Sequence, residues 1–209
     1  MFALAESDLQ SRILGCGDGP AGFNAEATAR GLTVVSCDPI YRWDAADIRA
    51  RIAATSPTVL AETRKNAEEF VWTEIRSVDE LGEIRMAAME RFLDDYPSGR
   101  TAGRYVEAAL PDLPFADAHF DLALCSHFLF LYTAQRDRTF HERAVLELCR
   151  VAREVRVFPL LALGGRRSDH VDGVSDVLRD AGHDVGVERV PYEFQRGGNE
   201  MLRIRRGGR

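Results

Sequence analysis

The sequence lacks a long apolar stretch, an excess of positive charge and a basic leader. No strictly apolar run is longer than the five residues Phe128 to Tyr132, far shorter than the roughly 20 residues that span a bilayer. Its 27 Lys and Arg are outnumbered by 33 Asp and Glu, for a formal net charge of −6, whereas proteins that bind a nucleic-acid backbone concentrate positive charge on one face. Residues 1–10 contain no basic segment of the kind that begins a secretory signal. We therefore expect a cytoplasmic protein that engages neither a membrane nor a nucleic acid.

Cysteine is scarce, and the four cysteines lie far apart. Cys16, Cys37, Cys125 and Cys149 form no C-x-x-C pair and have no histidine at the spacing of a metal site. Three of them fall in or beside apolar runs, as buried free thiols do. The sequence therefore predicts neither a disulfide framework nor a metal centre.

With 209 residues, the chain has the length of a single domain, and short apolar runs alternate in it with helical patterns. The runs that predict strands are residues 13–14, 33–37, 105–110, 121–126, 155–160, 185–190 and 201–205. Helices are predicted at residues 23–30, 139–153 and 169–181. This alternation predicts the α/β class, with a mostly parallel seven-stranded sheet and helices on both faces. Because no helix separates the last two strands, we expect them to form an antiparallel edge.

One interval is much longer than a strand–helix–strand unit requires. Residues 38–104 number 67, against about 30 for a minimal unit. The surplus, about residues 44–103, has three predicted helix starts, which are Asp44, Ser56 before Pro57, and Ser77 with Glu80 as a capping box. This helical insertion either covers the carboxyl edge of the sheet as a lid or thickens the fold at its periphery. The sequence leaves both interpretations open.

Three loops are expected to meet at the carboxyl edge of the sheet, where open α/β sheets bind their ligands. The first, Gly15 to Pro20, brings bare backbone and a helix N-terminus close to a ligand. The second holds Asp38, whose carboxylate can accept hydrogen bonds from two ribose hydroxyls. The third is Ser126-His127, at the tip of the fourth strand. Together they predict a cofactor that carries an adenosine-like ribose.

The glycine spacing narrows the choice of cofactor. A dinucleotide site favours G-x-G-x-x-G, but the glycines here follow G-x-G-x-G at Gly15, Gly17 and Gly19, and Pro20 stands where the third dinucleotide glycine would be. No G-K-S or G-K-T follows, as a phosphate loop would require. Both of these nucleotide-binding motifs are therefore disfavoured.

The run L-G-C-G-D-G at residues 14–19 resembles L-G-C-G-x-G, the first motif of class I S-adenosylmethionine-dependent methyltransferases. The run L-P-F-A-D-A-H-F-D at residues 113–121 resembles the family's L-P-F-x-D-x-x-F-D segment before the fourth strand. The resemblance covers residues 11–38 and 105–206. It implies a Rossmann-like fold, S-adenosylmethionine (SAM) as cofactor and methyl transfer as the reaction. Two positions depart from the family pattern, since Ile13 and Ala109 stand where acidic residues are common.

By position, the resemblance also implies the cofactor contacts. The residues whose backbone would face the methionine moiety are Gly15, Cys16, Gly17 and Gly19. Asp38 would hold the ribose hydroxyls, and the carbonyl of Ser126 would meet the amino-acid end. The residues that would border the adenine are Pro39 and Ile40 on one side and Ala109 and Leu110 on the other.

Methyl transfer requires little beyond holding the acceptor at near-attack distance from an activated methyl group, so no catalytic triad is expected. His127 is the candidate base or substrate ligand, and the alternative is a hydrogen-bonded histidine of the core or of the cofactor site. The candidate residues of the acceptor pocket, each with a structural alternative, are Tyr41, Trp43, Tyr132, Phe194 and Arg196. Asp18 is interpreted as a turn or helix-cap residue.

The sequence thus favours a SAM-dependent methyltransferase of a small molecule, built as one domain over residues 1–209. Two alternatives stay open. One is a nicotinamide-dependent oxidoreductase, which Pro20 disfavours. The other is a non-catalytic binding or scaffold module with the same fold.

Overall fold

The computed structural model describes residues 1–207, in which strands and helices alternate. The strands are β1 (Ile13–Cys16), β2 (Val34–Cys37), β3 (Tyr105–Val106), β4 (Phe120–Ser126), β5 (Ala152–Phe158), β6 (Asp184–Arg189) and β7 (Glu200–Arg205). The α-helices are α1 (Glu6–Leu9), α2 (Phe23–Ala29), α3 (Ala45–Lys65), α4 (Val78–Thr101), α5 (Arg138–Val151) and α6 (Val171–Asp180). Short 3₁₀ turns cover Pro39–Arg42, Ala67–Glu69 and Phe130–Tyr132. Within the described residues, no helix is both long enough and apolar enough to cross a membrane.

The strands form one seven-stranded sheet in the order β3-β2-β1-β4-β5-β7-β6. Strands β1 to β5 pair in parallel, and β7 runs antiparallel to both β5 and β6. The predicted α/β class, the mostly parallel sheet and the antiparallel pairing at one edge are confirmed. The reversed strand β7 is itself second from that edge, because the chain turns back after β6 into the space beside β5.

The central strands are covered on both faces, as parallel strands usually are. Leu14 of β1 packs in the cluster that contains the buried side chains of α5, whereas Ile13 packs in the cluster that contains Ala27 of α2. Helix α5 buries Ala144 and Leu148, in agreement with the apolar periodicity that predicts this helix. Ala152, which that periodicity assigns to the helix, begins β5 instead.

The predicted helix start at Ser56 and Pro57 is wrong, because α3 continues through Pro57 as one helix of 21 residues. A proline inside a helix removes one backbone hydrogen bond. The burial of Ile48 and Ile52 of α3 in a cluster with Phe92 of α4 offsets that loss. The long interval therefore holds two long helices, α3 and α4, that pack against each other.

Two further boundaries differ in how well local sequence defines them. Ser77 caps α4 as predicted, since its side chain accepts a hydrogen bond from the Glu80 N–H at 3.1 Å. The predicted third strand, residues 105–110, shrinks to the two residues of β3. Because β2 ends at Cys37, residues beyond Val106 have no neighbouring strand to pair with. The chain after Val106 is consequently free to form a loop at the carboxyl edge.

Candidate active site

The three predicted loops meet at the carboxyl edge of the sheet. Cys16 and Cys37, the last residues of β1 and β2, are in register with Cys125 of β4. The next residue of each segment, Gly17, Asp38 and Ser126, therefore lies beside the other two at the ends of adjacent strands. This arrangement gives one continuous surface made of backbone, a carboxylate and a hydroxyl.

The loop after β1 requires glycine at Gly17 and favours it at Gly19. These residues have φ angles of +70° and +59°, a region that residues with a side chain rarely adopt. A Cβ atom at Gly17 would also lie 3.0 Å from the ring of Phe128. The Gly17 N–H donates to the Cys37 carbonyl at 2.9 Å, which fixes the loop to β2. Any ligand at this point faces the main chain itself.

Asp38 is oriented beside the glycine loop by the backbone. Its Oδ2 accepts a hydrogen bond from the Gly19 N–H at 2.9 Å, and its Oδ1 accepts one from the Ile40 N–H at 2.9 Å. Burial raises the pKa of the Asp38 carboxyl, and the two N–H groups oppose that rise. Each carboxylate oxygen can still accept another hydrogen bond, so the group can bind two hydroxyls.

Two cavities open at this edge, and His127 lies on the wall of both. The first, which we call the Asp38 cavity, measures about 460 Å³ and has Asp38, Pro39 and Ile40 on one side and Ala109 and Leu110 on the other. Cys16, Gly17 and Tyr132 also line it. The second, which we call the Ser126 cavity, measures about 690 Å³ and is lined by Gly15, Asp18, Ser126 and residues 1–4. Of the predicted cofactor residues, only Gly19 lies outside both walls, and its N–H holds Asp38.

His127 has a strained backbone and a fixed ring. Its φ is +50°, which is costly for a residue with a side chain, and such strained residues cluster at functional sites. Its N–H donates to the Phe158 carbonyl at 2.7 Å, and its Nδ1 lies 2.8 Å from Ser126 Oγ. Burial lowers the pKa of His127, and the positive charge of Arg85 on α4 lowers it further. The ring is therefore neutral near pH 7 and able to accept a proton.

Asp18 belongs to the candidate site, although its position in the sequence predicts a turn or helix-cap residue. Within residues 1–207 its carboxylate makes no cap hydrogen bond and instead folds back over the Cα atom of Gly15, where any side chain at Gly15 would clash with it. Ser36 Oγ donates to Asp18 Oδ2 at 2.5 Å. Burial raises the pKa of Asp18 to about 6 despite this hydrogen bond, and the nearby charge of Asp38 adds to the rise. The signal in the sequence was the pairing of a side-chain-free Gly15 with an acidic residue three positions later.

The predicted acceptor residues do not gather in one place. Tyr132, 39% exposed, lines the Asp38 cavity. Trp43, 49% exposed, lines a separate cavity of about 640 Å³ beneath α3. Tyr41 is 1% exposed and packs among aromatic rings, and its hydroxyl donates to the Gly19 carbonyl at 2.8 Å. Tyr41 therefore holds the glycine loop through this hydrogen bond and does not lie on the wall of either cavity.

Phe194 and Arg196, in the loop between β6 and β7, hold the insertion at the end of the sheet opposite β3. The segment 67–72, which lies in the connection between α3 and α4 and which we call the bridging segment, pairs with the loop between β6 and β7. The Val71 N–H donates to the Phe194 carbonyl and the Arg196 N–H to the Glu69 carbonyl, each at 2.8 Å. The rings of Phe194 and Phe70 stack with centroids 5.0 Å apart. Because the β6–β7 loop lies at the carboxyl end of β6, the insertion spans the carboxyl edge from β3 to this loop.

Comparison with known proteins finds a relative by sequence. No protein-family model matches the chain. The chain is 33% identical over 209 residues to uncharacterized protein MJ0045 of Methanocaldococcus jannaschii, and the match covers 99% of this chain and 90% of that protein.

Solved structures with the same architecture extend the comparison. A SAM-dependent methyltransferase from Methanosarcina mazei superposes with a TM-score of 0.51 at 13% identity, over 96% of this chain and 94% of that chain. Magnesium protoporphyrin IX methyltransferase from Synechocystis PCC 6803, crystallised with bound SAH, superposes with a TM-score of 0.51 at 12% identity, over 97% of this chain and 77% of that chain. At these identities the likeness concerns the fold.

Proposed function

We propose a function from the premise that this chain belongs to the same family as protein MJ0045 and has the Rossmann-like fold of class I SAM-dependent methyltransferases. The proposed function is transfer of the methyl group of SAM to a small-molecule acceptor. One observation carries it: the glycine loop and the oriented carboxylate of Asp38 face the same cavity.

The residues of the site fit this cofactor. Asp38 has free acceptor capacity on both oxygens for the two ribose hydroxyls. Ile40 and Ala109 form apolar walls on opposite sides of the Asp38 cavity, which suits a planar purine. Gly15 and Ser126, on the wall of the Ser126 cavity, suit the amino-acid end. Both cavities fall within the volume range of ligand sites.

The chemistry asks little of the protein. When bound, SAM supplies a methyl group on a positively charged sulfur, which needs no further activation. The chain contributes by holding the acceptor in line and by accepting a proton where the acceptor must lose one. We assign the proton to Nε2 of His127, because Nδ1 is engaged with Ser126 and no hydrogen bond to Nε2 is found within residues 1–207.

We further propose that the acceptor enters the Ser126 cavity and that the insertion is its lid. Three features support this assignment. The cavity is covered by residues 1–4, α4 brings Arg85 close enough to His127 to affect its pKa, and the bridging segment crosses the carboxyl edge. A cavity of about 690 Å³ suits a small molecule better than a protein or a nucleic acid. Tyr132 and Trp43 line other cavities, so this assignment gives them no acceptor contact, whereas Arg196 and Phe194 act by anchoring the lid.

Calorimetric titration with SAM, S-adenosylhomocysteine (SAH) and NADH tests the proposal. We expect SAM and SAH to bind and NADH to give no heat. The Asp38→Ala variant should lose about 1–3 kcal/mol of SAM binding, since two buried hydroxyl contacts disappear. Asp180→Asn, which changes an exposed carboxylate at the end of α6, serves as the matched control. Heat with NADH and none with SAM would instead support the oxidoreductase alternative.

A further inference from the structure

Near the candidate cofactor site, β1 carries an apolar residue at a position where an acidic residue is common in class I methyltransferases. This residue, Ile13, is 0% exposed and lies in the apolar core. Because side chains alternate along a strand, Ile13 and Gly15 of β1 point to the same face of the sheet. Gly15 has no side chain, which leaves a vacant position on this face directly above Ile13.

The carboxylate of Asp18 occupies that vacant position. It lies against Gly15, and the residues in register with Gly15 on the neighbouring strands are Ser36 of β2 and Leu124 of β4. Ser36 binds Oδ2, and within residues 1–207 no hydrogen bond to Oδ1 is found. Asp18 also lines the Ser126 cavity. The carboxylate on this face of the sheet thus comes from Asp18, which lies outside β1.

A hydrogen-bond chain fixes this carboxylate from behind. Asn24 Nδ2 donates to Ser36 Oγ at 3.1 Å, and Asn24 Oδ1 accepts from Arg104 at 2.7 Å. Arg104 in turn makes two hydrogen bonds of 2.7 Å to the carboxylate of Asp95 on α4. Asp18 is therefore held in one orientation by groups that belong to β2, α2 and α4.

We propose that the carboxylate of Asp18 is the counter-charge for the ammonium group at the amino-acid end of the cofactor, and that cofactor binding releases a proton from Asp18. The proposal rests on the proposed function, because it needs SAM in the site. Asp18, Gly15 and Ser126 line the same cavity, which is where the amino-acid end would lie. An ammonium group beside a desolvated carboxyl favours its ionised form. Binding and deprotonation are therefore linked.

The groups that face Asp18 determine how clearly this link can be observed. They are Asp38 after β2, the thiols of Cys16 and Cys125, the hydroxyl of Tyr41, and across the cavity His127 and the Met1 amino group. Burial raises the pKa of both thiols and of the tyrosine, so these stay neutral between pH 5 and 8. The step in binding that belongs to Asp18 is the one that Asp18→Asn removes.

The test is calorimetric titration of the full chain with three probes at pH 5 and pH 8. The probes are SAM, SAH and 5′-methylthioadenosine, which has the nucleoside and the sulfur but no amino-acid end. We expect Asp18→Asn to weaken SAM and SAH by about tenfold at pH 8, the loss of one charge-assisted contact, and to leave 5′-methylthioadenosine unchanged. Titration in buffers of different ionisation enthalpy should show release of about one proton at pH 5 and almost none at pH 8. Asp180→Asn should behave as the unmodified protein.

A second variant keeps the proposal testable if Asp18→Asn folds poorly. Ser36→Ala removes the hydrogen bond that lowers the pKa of Asp18, so the pH at which SAM affinity rises should move upward. Equal loss of all three probes in Asp18→Asn would overturn the proposal, because a disturbed loop and not a lost charge would explain it. SAM affinity that Asp18→Asn leaves unchanged would also overturn it. If the unmodified protein binds no SAM at either pH, the proposed function falls together with this inference.

Discussion

The substitution Asp18→Asn should make the cofactor-free protein more stable, although it weakens cofactor binding. In the folded protein the pKa of Asp18 is raised from 3.8 to about 6, chiefly by burial. Each pKa unit corresponds to about 1.36 kcal/mol, so full ionisation of Asp18 costs the folded state at most about 3 kcal/mol. Water in the adjoining cavity screens part of this cost, and we expect a gain of about 1–3 kcal/mol in the variant at pH 8.

The pH dependence of this stability difference distinguishes burial of the Asp18 charge from other causes. An acid whose pKa is raised on folding stabilises the folded state only while it is protonated. The stability that protonated Asp18 contributes is complete below pH 3.8 and is lost as the pH rises through about 6. The advantage of Asp18→Asn should therefore be small at pH 4.5 and reach its plateau above pH 6.

Urea unfolding at pH 4.5, 6 and 8, without cofactor, measures this difference directly. Asp180→Asn controls for the loss of one negative charge. A variant advantage that is the same at all three pH values would refute the reasoning, since desolvation of a carboxylate acts only on its ionised form. A variant less stable than the unmodified protein at pH 8 would do so as well.

Two other predictions follow from the geometry of the loops. Gly17→Ala should destabilise the protein by about 1–2 kcal/mol, because the φ of residue 17 is +70° and the new Cβ meets the Phe128 ring. The same variant should weaken SAM binding. Stability and SAM affinity equal to those of the unmodified protein would show that the loop tolerates a side chain. Arg196→Ala removes the guanidinium hydrogen bonds to the Glu68 and Phe70 carbonyls, so hydrogen exchange at the Val71 amide should accelerate while α5 stays protected. Equal exchange in both proteins would mean that the bridging segment does not depend on this anchor.

Much of the fold was predictable from local patterns. The β-branched run of β2 and the apolar stripe of α5 each carry their own periodicity, and Ser77 with Glu80 marks a helix start. The prediction of a helix start at Pro57 was wrong, because proline is common at helix starts but is also tolerated inside a helix. Here packing of α3 against α4 offsets the hydrogen bond that Pro57 cannot make. Burial against a distant helix is not a local signal, so the number of helices in the insertion could not be predicted.

The candidate site was likewise predictable only in part. The glycine loop, Asp38 and Ser126 lie at strand ends, and parallel strands bring their ends together whatever the rest of the chain does. The direction of the Asp18 side chain depends on a vacancy at Gly15 and a hydroxyl on β2, which only the register of β1 and β2 brings together. The anchoring role of Phe194 depends on its pairing with the bridging segment, more than 100 residues earlier in the chain.

A crystal structure with SAH bound tests the central claim most directly. The account predicts that both ribose hydroxyls donate to Asp38, that the adenine lies between Ile40 and Ala109, and that the amino-acid end extends past Gly15 toward Asp18. A complex in which SAH lies elsewhere, or in which Asp38 makes no contact with the ribose, would contradict the account.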